Sequence, residues 1–334
     1  MKMAVNDFKN LKIVLICLIL FLLAVLVILI KDSEDRDFGI DLSFTMKNNN
    51  CSEGRILFYE PVPNTTITFE GYNVKLNRTT IQTINSGGFR GREYSVEKPE
   101  EVYRIVVLGD SFTFGLGLND NETFSYHLEQ LLNEKNISGK RFEVLNFGVS
   151  GYNTVQEVAM LKMKALKYLP DMVIIAHQGN DIEDICEIKE MEQKLYEKHL
   201  VEHDFINNTF FTESAYFYHK SLELYYSKIG KKSFDEVFQI VQVPMQELYN
   251  LSLSQNFSLM IVHFPVGYRE REQSEWLSNF STRNGICYLD LIDAYKTKNL
   301  YSEILHPKDT HPNPYANRFF AEYLFDKMMQ CKII

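Results

Sequence analysis

The sequence predicts an α/β domain of three layers, α/β/α and flavodoxin-like, with a parallel sheet inside and one transmembrane helix ahead of it. Three observations predict it. Short, largely apolar runs recur after residue 100: Arg104–Leu108, Phe142–Asn146, the fully apolar Met172–Ala176, Ser258–Val262 and Gly285–Leu289. Helical patterns alternate with them, at Phe124–Leu132, Val155–Lys167 and Pro314–Met329. Strands that are apolar on both sides and alternate with helices mean a parallel sheet covered on both faces. Thirdly, Ile13–Ile30 is a charge-free run reading IVLICLILFLLAVLVILI, about 27 Å long as a helix, close to the hydrocarbon thickness of a bilayer.

Taken in chain order, residues 1–12 form a cytoplasmic tail and residues 13–30 the anchor. Lys2, Lys9 and Lys12 precede the span and a mixed acidic run from Lys31 to Asp37 follows it. The positive-inside rule therefore places the remainder outside the cytoplasm, at a cell surface, in a periplasm or in a lumen. A cleaved signal peptide is the alternative, but the apolar run exceeds the usual length and no small-x-small site ends it. Residues 31–84, with Pro61 and Pro63 and short alternating stretches such as Thr66–Phe69, form a stalk and a small β extension. Residues 85–334 form the main α/β domain. Within it, 182–257 is a helical, aromatic-rich insertion that reads either as a cap over a substrate groove or as ordinary helices burying aromatics.

Composition narrows the function classes. The chain has 334 residues, 45% hydrophobic and 24% charged, too apolar for a disordered protein. Its formal charge of −9 gives no electrostatic case for nucleic acid as a partner. Asn-x-Ser/Thr occurs at Asn50, Asn64, Asn77, Asn121, Asn136, Asn207, Asn250, Asn256 and Asn279, which fits an exported glycoprotein or an Asn-rich chain with coincidental matches. Cys17 falls in the span. Cys51, Cys186, Cys287 and Cys331 permit two disulfides in three pairings, and Cys287 also fits a buried thiol. Their spacing matches no zinc site, so no metal is expected.

The chemistry lies just beyond the strand ends, where ligands bind in such sheets. The first run is followed by Gly109-Asp110-Ser111-Phe112-Thr113-Phe114-Gly115, the second by Phe147-Gly148-Val149-Ser150-Gly151-Tyr152, and the third by His177-Gln178-Gly179-Asn180-Asp181. Asp309-Thr310-His311-Pro312-Asn313 precedes the last helix. A hydroxyl, a glycine loop, an amide and an Asp/His pair at one sheet edge are the inventory of nucleophilic acyl transfer. Each segment alone has a plainer explanation as a turn, a loop or a helix cap.

Together, in this order, they resemble the SGNH (GDSL-type) hydrolase superfamily over residues 85–330. GDSFTFG matches the first block and gives Ser111, NFGVSGYNT the second and gives Gly151, QGND the third and gives Asn180, and DTHPNP the last and gives His311 with Asp309. NSGGFRG, Asn85–Gly91, is similar to a leader found in a subset of the superfamily. Two departures stand out: one residue, not two, separates Asp309 from His311, and Gln178 replaces a glycine of the third block. His306 is a nearby rival base.

The resemblance implies the SGNH hydrolase fold and a Ser111–His311–Asp309 triad. It implies an oxyanion hole of the Ser111 and Gly151 N–H groups with the Asn180 amide, and no cofactor. Asp110 and Asp181 read as structural hydrogen-bonders. The expected activity is a membrane-anchored extracytoplasmic serine esterase acting on O-acyl groups, acetyl foremost, of an envelope glycan or lipid. The alternative is an O-acyltransferase with the same triad and a membrane acyl-donor partner. A non-catalytic surface binding module is the third reading.

Overall fold

A computed structural model describes residues 44–46, 59–70, 78–202, 210–307 and 309–334. The expected tail 1–12, the span 13–30, Cys17, Cys51 and most of the expected stalk lie outside the described residues. Among the described residues, no helix is long and apolar enough to cross a membrane.

Among the described residues, four strands precede the central sheet: β1 (Phe44–Met46), β2 (Tyr59–Pro61), β3 (Thr65–Phe69) and β4 (Thr80–Ile84). They form two antiparallel pairs, β1 with β2 and β3 with β4. The sheet itself contains β5 (Val102–Gly109), β6 (Arg141–Asn146), β7 (Met172–His177), β8 (Ser258–His263) and β9 (Cys287–Asp290). Their order is β6-β5-β7-β8-β9, and every pairing is parallel. A short hairpin of β10 (Ile304–His306) and β11 (Asp309–Pro312) follows, a pairing the sequence does not announce.

The helices are α1 (Ser111–Phe114), α2 (Phe124–Glu134), α3 (Thr154–Met163), α4 (Ile185–Glu202), α5 (Phe210–Ile229), α6 (Phe234–Gln255), α7 (Glu270–Asn284), α8 (Ile292–Thr297) and α9 (Pro314–Cys331). Alternation along the strands divides the core in two. Val106, Leu108, Val173, Ile175 and Ile261 pack on one face with Val158 of α3, Phe238 and Leu248 of α6 and Leu277 of α7. Ile105, Val107, Ile174, Met260 and Val262 pack on the other with Leu128 of α2 and Phe320 and Leu324 of α9. The three-layer expectation therefore holds in its sheet and flanking helices.

Among the described residues the stretch 182–257 holds three helices, and the last, α6, is a layer helix whose Val237, Phe238, Val241, Met245 and Leu248 belong to the core. Tyr225 of α5 is buried, its hydroxyl donating to the Ile182 carbonyl at 2.7 Å. Cys287 is not a free thiol: it is bonded to Cys331, which ties the end of α9 to strand β9. Cys186 is disulfide-bonded as well. Three of the Asn-x-Ser/Thr asparagines, Asn64, Asn136 and Asn256, have φ of 58°, 47° and 56°. Asparagine tolerates that left-handed backbone better than most residues, so these positions have a structural reason to be Asn.

The outer edge of β6 is occupied by side chains. Asn133 accepts from the Phe142 N–H at 2.9 Å and donates to its carbonyl at 3.0 Å. Glu129 accepts from the Val144 N–H at 2.8 Å, and the Tyr94 hydroxyl donates to the Val144 carbonyl at 3.1 Å. The Arg90 N–H donates to the Asn146 carbonyl at 3.2 Å.

Candidate active site

Ser111 opens α1 directly after β5. Asp110 caps that helix, accepting from the Phe112 N–H at 2.9 Å, and Gly115 ends it at φ 75°. So short a helix is held by its neighbours. Asn146, the last residue of β6, donates to the Thr113 carbonyl at 2.6 Å. Gly148 lies against the α1 backbone so closely that a Cβ there would meet the Phe114 nitrogen at 2.3 Å. This packing holds the start of the loop after β6 against α1, and Gly151 lies further along the loop at φ 75°. The N–H groups of Ser111 and Gly151 have no acceptor among the described residues.

Asn180 follows β7 on a single 3-10 turn, Gly179–Ile182. Its amide nitrogen donates to Asp110 Oδ2 at 3.1 Å, leaving the second amide hydrogen without an acceptor among the described residues. Asp181 is fully buried, accepts from the Gln178 N–H at 2.6 Å and lies 3.0 Å from His177 Nδ1. Asp110 and Asp181 therefore act as hydrogen-bonders. Gln178 sits at φ −130° and ψ 168°, extended backbone that demands no glycine.

Asp309 and His311 lie on β11. Residues two apart on a strand share a face, so the single intervening residue suffices. His311 Nδ1 stands 2.6 Å from Asp309 Oδ1, which also accepts from the His311 N–H at 3.3 Å. Burial pushes the Asp309 carboxyl up, but the hydrogen bond to His311, the charge of His311 and the charge of His306 outweigh it and hold the pKa below the usual value. His306 faces Asp309 across the hairpin, yet the carboxylate bonds the His311 ring. The His311 ring lies 5.8 Å from that of Phe112, the residue after the serine. Ser111 Oγ and His311 Nε2 are not hydrogen-bonded to each other or to any other described residue; such contacts commonly tighten only when substrate binds.

Beneath these residues lies a carboxyl cluster. Asp110 is raised to about 7, by burial first and then by the charge of Asp181. Glu157 of α3 is 1% exposed, neither of its oxygens has a hydrogen-bond partner among the described residues, and burial with the charges of Asp181 and Asp110 pushes it well up. Glu157 escapes sequence reading because it stands in the apolar stretch Val155–Leu161, where a lone glutamate passes for a surface position. A glutamate on the buried side of an otherwise apolar helix is the signal that could have found it.

The profile of the GDSL-like lipase/acylhydrolase family matches residues 107–319. No curated protein matches the chain. Among solved structures, TesA is similar at 13% identity and a TM-score of 0.44, over 68% of this chain and 99% of that one. The psychrotrophic esterase EstA from Pseudoalteromonas sp. is similar at 15% and 0.42, over 68% and 97%. The acetyl xylan esterase AlAXEase is similar at 16% and 0.42, over 67% and 98%.

Proposed function

This chain belongs to the GDSL-like lipase/acylhydrolase family and is a hydrolase of the serine type, and we propose that Ser111, His311 and Asp309 form its triad. In this reading His311 Nε2 takes the Ser111 proton as Oγ attacks an ester carbonyl. Asp309 fixes the tautomer, with the Nδ1 proton held toward the carboxylate, and stabilises the imidazolium. The Ser111 and Gly151 N–H groups and the Asn180 amide receive the developing oxyanion; one such donor is typically worth about 3–4 kcal/mol. His311 returns the proton to the leaving alcohol, and water then releases the acyl group by the reverse sequence. The observation that carries the reading is the Asp309–His311 pair at 2.6 Å, beside the residue that follows Ser111.

The substrate proposed is an O-acyl, foremost O-acetyl, group on a glycan or lipid of the cell envelope. The charge-free run Ile13–Ile30 supports a tethered enzyme, which meets surface molecules at high effective concentration. The disulfides of Cys287–Cys331 and Cys186 support an oxidising compartment.

The test uses the full chain in detergent with a short-chain aryl ester and a fluorophosphonate label. Wild type should hydrolyse the one and accept the other, and Ser111→Ala should do neither. Equal behaviour of the two proteins overturns the reading. Adding an acceptor glycan distinguishes transfer, which yields a newly acylated sugar, from hydrolysis, which yields free acid.

A further inference from the structure

Tyr59 lies in β2, well ahead of the region that matches the family, yet it reaches the loop after β6. Its hydroxyl donates to the Ser150 carbonyl at 2.5 Å, and the Tyr152 hydroxyl donates back to the Tyr59 carbonyl. The two rings stand 5.4 Å apart. The next residue, Glu60, is buried and paired with Lys164 Nζ at 3.0 Å, so β2 is held against the domain independently of the tyrosines. A Cβ at position 151 would stand 2.7 Å from the Tyr59 hydroxyl, so the loop fits beneath it only as glycine.

The Ser150 carbonyl and the Gly151 N–H belong to one peptide unit. That unit is planar and trans, so its C=O and N–H point in opposite directions. A hydroxyl fixed on the oxygen therefore fixes the direction of the hydrogen. Such an anchor is needed here because Gly151, at φ 75°, has the freedom of glycine and would otherwise let the plane turn. Donation to the carbonyl also polarises the amide and strengthens its N–H as a donor.

We infer that Tyr59 is a positioning residue for the oxyanion hole, acting through the Ser150–Gly151 peptide. The β extension ahead of the family domain is thus part of the catalytic apparatus. The inference rests on Gly151 serving as an oxyanion donor.

The test compares full-length wild type, Tyr59→Phe, Tyr152→Phe and Ser111→Ala on p-nitrophenyl acetate. Tyr59→Phe keeps the ring and removes the donor. Its kcat should fall about tenfold, with KM within about twofold and the melting temperature essentially unchanged. Fluorophosphonate labelling should slow in parallel, since that adduct also places an oxygen in the hole. Tyr152→Phe should show a smaller fall of the same kind. An unchanged kcat in Tyr59→Phe, or a fall matched by a rise in KM and a loss of melting temperature, overturns the inference. If Tyr59→Phe does not fold, Tyr152→Phe decides by the same two criteria. Activity that survives Ser111→Ala overturns the esterase reading itself, whereas a Ser111-dependent enzyme indifferent to Tyr59→Phe overturns this inference alone.

Discussion

Asp110 holds Asn180: one carboxylate oxygen caps the helix that begins with Ser111, and the other accepts from the Asn180 amide at 3.1 Å. The proposed nucleophile and a proposed oxyanion donor are thus positioned by a single side chain. Asp110→Asn replaces one acceptor by a donor, which opposes either the Phe112 N–H or the Asn180 amide. Loss of the cap alone should cost about 1 kcal/mol, and a displaced Asn180 should lower kcat by about two decades. Melting curves and kinetics on an aryl ester measure the two effects separately. A variant with wild-type kcat would show that Asn180 is held by something else.

The two histidines of the β10–β11 hairpin separate in the same assay. His311→Ala should abolish turnover, and Asp309→Asn should lower kcat by about three to four decades, since the ring loses its tautomer control. His306→Ala should stay within a few fold of wild type, because the Asp309 carboxylate bonds the His311 ring. The reverse pattern would make His306 the base.

Glu157 sets a pH dependence whose sign can be worked out. Burial raises its pKa in the folded protein well above the ordinary carboxyl value of about 4.5, so the folded state holds a proton that the unfolded state releases. Its contribution to stability therefore declines as pH rises above about 4.5. Asp110, raised to about 7, adds a decline of the same sign between its unfolded value and about 7. Buried His263, lowered by burial, works the other way in acid, so a difference measurement isolates the glutamate. Glu157→Gln should raise the melting temperature relative to wild type more at pH 8 than at pH 5. A difference independent of pH would mean that Glu157 is ionised in the fold.

The Cys287–Cys331 bond closes a loop of sequence separation 44 and staples α9 to the edge strand β9. Loop-closure entropy for that length is worth about 4 kcal/mol, with engineered cases commonly delivering less. Cys331→Ser, or reductant on the wild type, should lower the melting temperature by several degrees. An unmoved transition would show that helix packing alone holds α9.

Much of this was legible in the sequence. The five central strands announce themselves as largely apolar runs, and the segments that carry Ser111, Gly151 and Asn180 stand just after three of them. The structure adds that one residue between Asp309 and His311 is enough on an extended strand. Other features left no local signal. The β10–β11 hairpin has strands of three and four residues, too short to show alternation. Helix α7, EREQSEWLSNFSTRN, offers few apolar residues to a periodicity count. Tyr59 meets Ser150 from 91 residues away, and no pattern within a window could join them.

The side chains along β6 bear on how copies of this protein meet. Asn133, Glu129, Tyr94 and the Arg90 backbone already answer the polar groups of residues 142, 144 and 146. An incoming strand finds no unclaimed rung there on which to lengthen the sheet. Crowded molecules are therefore denied cross-chain β-pairing along that border, and any self-recognition must use some other surface.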